Sequence, residues 1–185
     1  MFNSLFEYLE NNNPLNPHQS GFRPGDSCVH QLLSITFDIY KSFDANPSLE
    51  VRVIFLDMSK AFDRVWHEGL LFKLKRLGLS GKFYGLINSF LSNRRQRVIL
   101  NGQSSKWSPI KAGVPQGSIL SPLFFLVYIN DLPKGLLCNP KLFADDTSIF
   151  SVVKDRLNSL NKLNEDLTKI YQKAYQWKKI GRAHV

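Results

Sequence analysis

The sequence has little of what secreted and membrane proteins need. Its 185 residues include only two cysteines, Cys28 and Cys138, too few for a disulfide framework. The longest apolar stretch, 119–129, contains Ser121 and Pro122 and is far too short to span a bilayer. The first ten residues are acidic where a signal peptide would be basic. We therefore expect no membrane association and an intracellular location, with no targeting signal to choose between nucleus and cytoplasm.

Acidic residues are also scarce in one long part of the chain. The net charge is +9, and 43% of the residues are hydrophobic, which is enough for a globular core. No Asp or Glu occurs between Gly69 and Asn130. We call residues 69–130 the basic window. Its basic residues are Lys73, Lys75, Arg76, Lys82, Arg94, Arg95, Arg97, Lys106 and Lys111. A basic surface of this kind attracts polyanions such as nucleic acids, although a solvated basic face is the alternative.

The hydrophobic pattern predicts an α+β fold in which short strands alternate with helices. Helices are expected over 2–10, 28–43, 67–77, 80–91 and 122–130, and again after Asp155. A strand is expected over 51–56, with one hairpin turning at Asn101-Gly102 and another at Asp145-Asp146. Two apolar stripes are expected to be buried. They comprise Val29, Leu32, Leu33, Thr36, Phe37 and Tyr40 in one helix, and Leu157, Leu160, Leu163, Leu167, Ile170, Tyr171 and Ala174 in the last one.

Three aspartates are candidates for chemistry because of where they fall. Asp57 ends an apolar strand, and Asp145 and Asp146 form the tip of an apolar hairpin. Carboxylates there must be solvated, paired or metal-bound, and hard oxygen ligands suit Mg²⁺. Neighbouring strand residues point to opposite faces, so at most one of Asp145 and Asp146 shares a site with Asp57 unless the turn twists both inward. An ordinary Asp-rich turn is the alternative.

Five segments together carry a resemblance to a known family. They are QSGFRPG at 19–25, FLDMSKAFD at 55–63, FLSNRRQRV at 90–98, GVPQGSILSP at 113–122 and FADD at 143–146. Their order and spacing resemble the reverse transcriptases of non-LTR (LINE-type, jockey-like) retrotransposons. The resemblance implies a polymerase palm: a split βαβ arrangement with an antiparallel sheet and helices on one face. Viral RNA-dependent RNA polymerases place a second acid near the spacing of Asp63, but Ala144 and Phe62 favour the reverse transcriptases.

The resemblance also implies a role for each matching residue in the metal site. Asp57, Asp145 and Asp146 would be the catalytic carboxylates, with Asp57 and Asp145 the principal metal ligands and the backbone carbonyl of Met58 a further one. Together they would hold two Mg²⁺ ions, with Mn²⁺ a possible substitute.

The implied nucleotide and nucleic-acid contacts come from other motifs. Phe62 matches the steric gate that excludes ribonucleotides, although a core aromatic fits the same position. Gln116 and Gly117 match the loop that packs against the incoming nucleotide, and Arg23 is a candidate triphosphate contact. The side chains that could reach template or primer phosphates are Arg94, Arg95 and Arg97, for which a solvated hairpin is the alternative.

The resemblance predicts a fragment of a larger enzyme. We expect partial fingers over residues 1–50 and the palm over 51–179, without the thumb and without the fingers segment that precedes Leu5 in the family. Residues 180–185 look like a translated sequencing adapter and are expected not to be native, a genuine terminus being the alternative.

The expected activity is RNA-directed DNA polymerisation. Its partners would be an RNA template, a DNA primer and deoxynucleoside triphosphates, and the sequence says nothing about oligomeric state. A truncated, catalytically inactive nucleic-acid-binding remnant is the alternative.

Overall fold

A computed structural model of the chain describes residues 2–12 and 15–180, with side chains as far as Trp177. The helices of this part are α1 (Phe2–Asn12), α2 (Cys28–Ala45), α3 (His67–Arg76), α4 (Gly81–Leu91), α5 (Leu120–Ile129) and α6 (Arg156–Ile180), with a 3-10 turn at Phe62–Arg64. The strands are β1 (Glu50–Leu56), β2 (Arg95–Gln96), β3 (Ile99–Leu100), β4 (Gln103–Ser104), β5 (Ser108–Pro109), β6 (Asn139–Phe143) and β7 (Asp146–Val153). Nearly all of the tail expected to be foreign, residues 181–185, lies outside the described residues. The predicted α+β fold class is confirmed.

The chain forms two compact units. The first unit contains the described parts of 1–13, 60–128 and 177–185, and the second contains those of 14–59 and 129–176. Neither unit has a boundary at residue 50, so the division into fingers and palm stays a prediction.

The second unit is built on a three-stranded antiparallel sheet. Its strand order is β1-β7-β6, and the register of the first pair runs from Glu50 opposite Val153 to Leu56 opposite Thr147. The central strand β7 is the most buried because it has a neighbour on each side. This register brings the end of β1 and the start of β7 to the same edge of the sheet.

The predicted buried stripe of α2 is wrong. Among the described residues, Val29, Leu32, Leu33, Phe37 and Tyr40 are between 58% and 65% exposed. The opposite, more polar side of the helix contacts β6, because Lys141 forms an ion pair with Asp38 (2.9 Å) and bonds Ser34 Oγ (2.6 Å). The side of α2 that contacts β6 is therefore the one that carries Ser34 and Asp38.

The last helix also buries a different set of residues from the predicted one. Leu163 and Ile170 are buried as predicted, but Leu157 and Tyr171 are mostly exposed, while Ser159 and Asp166 are buried. The Asp166 carboxylate is fully buried and accepts the backbone N–H groups of Leu137 and Cys138, both at 2.8 Å. This buried carboxylate is satisfied by two donors, so the helix can turn a polar residue inward.

The two cysteines are expected to differ sharply in reactivity. Cys28 is exposed and Cys138 is buried, and burial, together with the nearby Asp166 carboxylate, raises the pKa of the Cys138 thiol. Because the thiolate is the nucleophile, a raised pKa keeps Cys138 protonated at neutral pH. Iodoacetamide at about pH 7.5 should alkylate only Cys28 in the folded chain, as measured by peptide mass spectrometry. Both thiols should react in urea; equal rates in the folded chain would contradict the burial of Cys138.

The first unit packs α3 and α4 with the apolar helix α5. Phe124 and Phe125 of α5 are fully buried, and the Phe124 ring lies 6.0 Å from that of Phe90 on α4. The predicted hairpin is confirmed, with two short ladders, β2-β5 and β3-β4. Asn101 and Gly102 turn it with φ values of 49° and 75°, the left-handed pair that matches strand twist.

No helix in the described part of the chain is both long enough and apolar enough to cross a membrane.

Candidate active site

Two of the three candidate aspartates line one cavity in the second unit. Leu56, the last residue of β1, pairs with Thr147 of β7. Asp57 directly follows Leu56, and Asp146, the first residue of β7, directly precedes Thr147. Both aspartates line a cavity of about 330 Å³ at this edge of the sheet. The pairing of the end of β1 with the start of β7 therefore brings Asp57 and Asp146 together.

Asp145 and Met58 are placed differently from Asp146. The turn between β6 and β7 consists of Ala144 and Asp145, and neither Asp145 nor Met58 belongs to the cavity lining. Within the described residues, no three Asp, Glu, His or Cys side chains come together as a metal site. The structure thus places Asp146, a strand residue, with Asp57 at the cavity, because Asp145 lies in the turn before the strand. The expected pairing of Asp57 with Asp145 as principal metal ligands stays a prediction.

The residues around this cavity fit a divalent cation. In the described part of the chain, the carboxylates of Asp57 and Asp146 form no ion pair or hydrogen bond with another side chain. Thr147, which also lines the cavity, has a buried hydroxyl without a described hydrogen-bond partner. Lys141 reaches the same cavity, but its ammonium group is already paired with Asp38. Two unneutralised carboxylates suit Mg²⁺, which usually takes one or two carboxylates plus substrate phosphates.

A second cavity, of about 550 Å³, lies within the first unit and is basic. Among the described residues that line it are Lys60, Arg94 and Lys111 and one acid, Asp63. Gln116 lines it too, and its side-chain amide donates to Asp63 Oδ1 at 3.1 Å. Three cations against one carboxylate favour an anionic ligand.

The other predicted nucleotide contacts lie in simpler surroundings. Gly117 is exposed with a φ of 82°, and, apart from its chain neighbours, a Cβ on it would meet no atom of the described residues within 4 Å. Phe62 is half-buried and stacks on Phe125 with ring centroids 4.6 Å apart. It therefore has the contacts expected of a core aromatic residue, which is the alternative to a steric gate. Arg23 donates to the carbonyl oxygens of Asn16 (3.3 Å) and Gln19 (3.5 Å), which fixes it to its own loop.

The basic hairpin of the first unit exposes both charge and an aromatic ring. The Arg97 guanidinium lies over the Trp107 ring, 4.8 Å from its centroid, and Trp107 is 57% exposed. Arg95 and Arg97 are exposed at this hairpin, whereas Arg94 is half-buried and lines the basic cavity. The combination of cations with an exposed indole is typical of surfaces that bind single-stranded nucleic acid.

Sequence reasoning missed three residues of these sites. Gln19 is buried against the turn at Ala144, Lys60 lines the basic cavity, and Asp63 holds Gln116. Gln19 belongs to a turn-rich segment with no periodic pattern, so nothing in the sequence except its place in a motif singles it out.

Comparison with known proteins defines the class. The sequence matches the family described as reverse transcriptase (RNA-dependent DNA polymerase) over residues 1–181, and the chain belongs to that family. Two relatives from Drosophila melanogaster are the "Probable RNA-directed DNA polymerase from transposon BS", 34% identical over 95% of this chain, and the "RNA-directed DNA polymerase from mobile element jockey", 36% identical over 86% of it. The predicted resemblance to non-LTR retrotransposon reverse transcriptases is confirmed.

The chain spans only a small part of the length of these relatives. It covers 20% of the length of the transposon BS relative and 18% of the jockey relative. A solved structure, "Structure of apo telomerase from Candida Tropicalis truncated from C-terminal domain", matches 90% of this chain and 35% of its own chain, with a TM-score of 0.63 at 13% identity. That likeness concerns the fold, and it supports the predicted palm-like polymerase class.

Proposed function

We propose that this chain is the catalytic core of an enzyme that copies retrotransposon RNA into DNA by adding deoxynucleotides to a primer 3′-hydroxyl. The observation that carries the proposal is the pair of unneutralised carboxylates, Asp57 and Asp146, lining one cavity at the end of β1. Family membership supports the reaction type, because the family is described as an RNA-dependent DNA polymerase. The partners we propose are an RNA template, a DNA primer and deoxynucleoside triphosphates, which an intracellular location would supply.

The metal site we propose consists of Asp57, Asp145 and Asp146, with the Met58 carbonyl as a further ligand. Two Mg²⁺ ions, or Mn²⁺ in their place, would supply charge stabilisation at the attacking 3′ oxygen and the leaving pyrophosphate. Asp57 and Asp146 both line the cavity, so we assign to them most of the attraction for a cation.

The nucleotide and template contacts we propose come from the first unit. The basic cavity lined by Lys60, Arg94 and Lys111 offers positive charge to phosphates, and Gln116 is held beside it by Asp63. Phe62 would crowd a ribose 2′-hydroxyl, and the exposed hairpin with Arg97 and Trp107 would contact a nucleic-acid strand.

A hybrid polymerase tests this function. In the hybrid, residues 1–180 of this chain replace the matching segment of the transposon BS relative, and the unmodified relative is assayed in parallel. We expect the hybrid to extend a DNA primer on an RNA template with Mg²⁺ and deoxynucleotides. If the relative extends the primer and the correctly folded hybrid does not, the chain is an inactive remnant and the proposal is wrong.

The hairpin contact gives a separate prediction. Trp107→Ala should lower the affinity of the chain for single-stranded RNA about tenfold, because stacking of one base on an aromatic ring is worth about 1–3 kcal/mol. Fluorescence anisotropy of a labelled oligonucleotide measures this affinity. Trp107→Phe keeps a ring and should retain most of the binding. An unchanged affinity in Trp107→Ala would show that the indole does not stack on a base.

A further inference from the structure

The turn that leads into Asp145 and Asp146 is held by the side chain of Gln19, which lies far from it in the sequence but in the same unit. Gln19 is 4% exposed, and its Oε1 accepts the backbone N–H of Ala144 at 2.9 Å. Its Nε2 donates to the backbone carbonyl of Ala144 at 3.0 Å. A single primary amide therefore satisfies both the donor and the acceptor of the same residue. Oε1 also accepts the N–H of Gly21 at 2.8 Å, which fixes the amide to its own loop.

The backbone around Gln19 is joined to the same hairpin. Gln19 forms a parallel bridge with Leu142 of β6, in which Leu142 donates to the His18 carbonyl at 2.8 Å and Ser20 donates to the Leu142 carbonyl at 2.9 Å. Gly21 approaches the turn so closely that a Cβ on it would lie 2.1 Å from the Ala144 nitrogen. The loop therefore packs directly on the residue that precedes Asp145.

Ala144 needs such support because of its backbone conformation. Its φ is 54°, in the left-handed region that a residue with a Cβ rarely adopts. Residues held in such conformations persist where surrounding contacts fix them, and they occur often at functional sites. If Ala144 changed its conformation, the directions of Asp145 and Asp146 would change with it, because both follow directly in the chain.

We propose that Gln19 is a positioning residue for the metal site: its amide fixes the Ala144 peptide groups and thereby the direction of the Asp146 carboxylate towards the cavity lined by Asp57. The inference rests on the proposed function, since it assigns Gln19 a part in cation binding. It differs from a general role in stability, because it ties the Gln19 amide to cation affinity in chains that are fully folded.

The test compares Mn²⁺ affinity with stability in four variants of the chain. Gln19→Ala removes the whole amide. Gln19→Met keeps the approximate size without adding a charge, but it loses all three hydrogen bonds of the amide. Asn16→Ala is the matched control, because Asn16 Oδ1 accepts the His18 N–H at 3.0 Å in the same loop and makes no described bond to Ala144. Asp57→Asn removes a proposed ligand.

Mn²⁺ affinity is measured by electron paramagnetic resonance titration, and the folded fraction by urea denaturation. Gln19→Ala should lower Mn²⁺ affinity about tenfold in the folded chain, the lower end of what residues supporting metal ligands contribute. Gln19→Met should lower it as well, and Asn16→Ala should leave it unchanged. Hydrogen exchange of the Ala144 amide should accelerate in Gln19→Ala and stay slow in Asn16→Ala.

Two results would overturn different claims. If the wild-type chain binds Mn²⁺ better than Asp57→Asn and the Gln19 variants bind it as the wild type does, Gln19 only stabilises its loop. If the wild-type chain binds Mn²⁺ no better than Asp57→Asn, the proposed metal site itself fails. Should Gln19→Ala not fold, Gln19→Met decides the first question, because it fills a similar volume and adds no charge.

Discussion

Replacing Asp57 with asparagine is expected to reduce Mg²⁺-dependent primer extension by the hybrid polymerase about 1,000-fold or more, because a lost metal ligand removes several kcal/mol of transition-state stabilisation. Asparagine keeps the shape of the side chain and removes its charge, so the fold should be unaffected. Asp57 is exposed at the end of β1 and has no described partner whose loss would destabilise the chain.

Asp44→Asn is the matched control for this experiment. Asp44 is an exposed carboxylate on α2, it belongs to the same unit as Asp57, and it is not among the residues that line the cavity with Asp57 and Asp146. The control should extend the primer at the wild-type rate. Wild-type extension by Asp57→Asn, with primer and template at saturating concentration, would remove Asp57 from the metal site.

Phe62→Ala is expected to have the second large effect, and it tests two roles of the Phe62 ring, sugar selection and core packing. If Phe62 excludes the 2′-hydroxyl, its loss should raise the use of ribonucleotides relative to deoxynucleotides about 100-fold, the size of discrimination that rests on a single hydroxyl in an apolar contact. Loss of the stack on Phe125 should also lower the free energy of unfolding by about 2 kcal/mol, less than for a fully buried ring.

The two roles require two measurements. The ratio of kcat/KM for the two sugars in the hybrid reports on selection, and urea denaturation of the chain reports on packing. Phe72→Ala is the control, since Phe72 is an exposed ring of the first unit on α3. A drop in stability with an unchanged sugar ratio would leave Phe62 as a core aromatic alone.

Local features of the fold were predictable because they depend on a few neighbouring residues. The turn at Asn101-Gly102 follows from backbone preferences, and Ser27 caps α2 by accepting the N–H of His30. Asp155 likewise accepts the N–H of Asn158 at the start of α6. Each of these signals acts within four residues, so no knowledge of the rest of the chain is needed.

The errors in burial arose where a distant partner decides the outcome. The sequence favours the apolar side of α2 as the buried one, but the side that contacts β6 is the one whose Asp38 pairs with Lys141, far along the chain. On α6, Asp166 is buried because the N–H groups of Leu137 and Cys138 satisfy it. A hydrophobic pattern contains no information about such partners.

The candidate site was predictable in its residue types and less so in its geometry. The strand ends and the motif resemblance identified all three aspartates, and the alternation of side chains limited the shared site to one of Asp145 and Asp146. Which of the two lines the cavity depends on the register of β7 against β1 and on the turn at Ala144. Neither the register nor the contact with Gln19 can be deduced from the local sequence.

The close approach of Gly21 to the turn has a consequence for which substitutions the chain can accept. The atoms that a Cβ on Gly21 would meet are the backbone atoms of Phe143 and Ala144, which every residue type shares. A smaller side chain at 143 or 144 would not remove this clash, because the backbone itself would have to shift. At position 144 the constraint is the positive φ of Ala144, 54°. Glycine would adopt this angle without strain, and a β-branched residue would increase the strain. Saturation mutagenesis should therefore leave glycine alone at position 21 and a short series of residues at position 144.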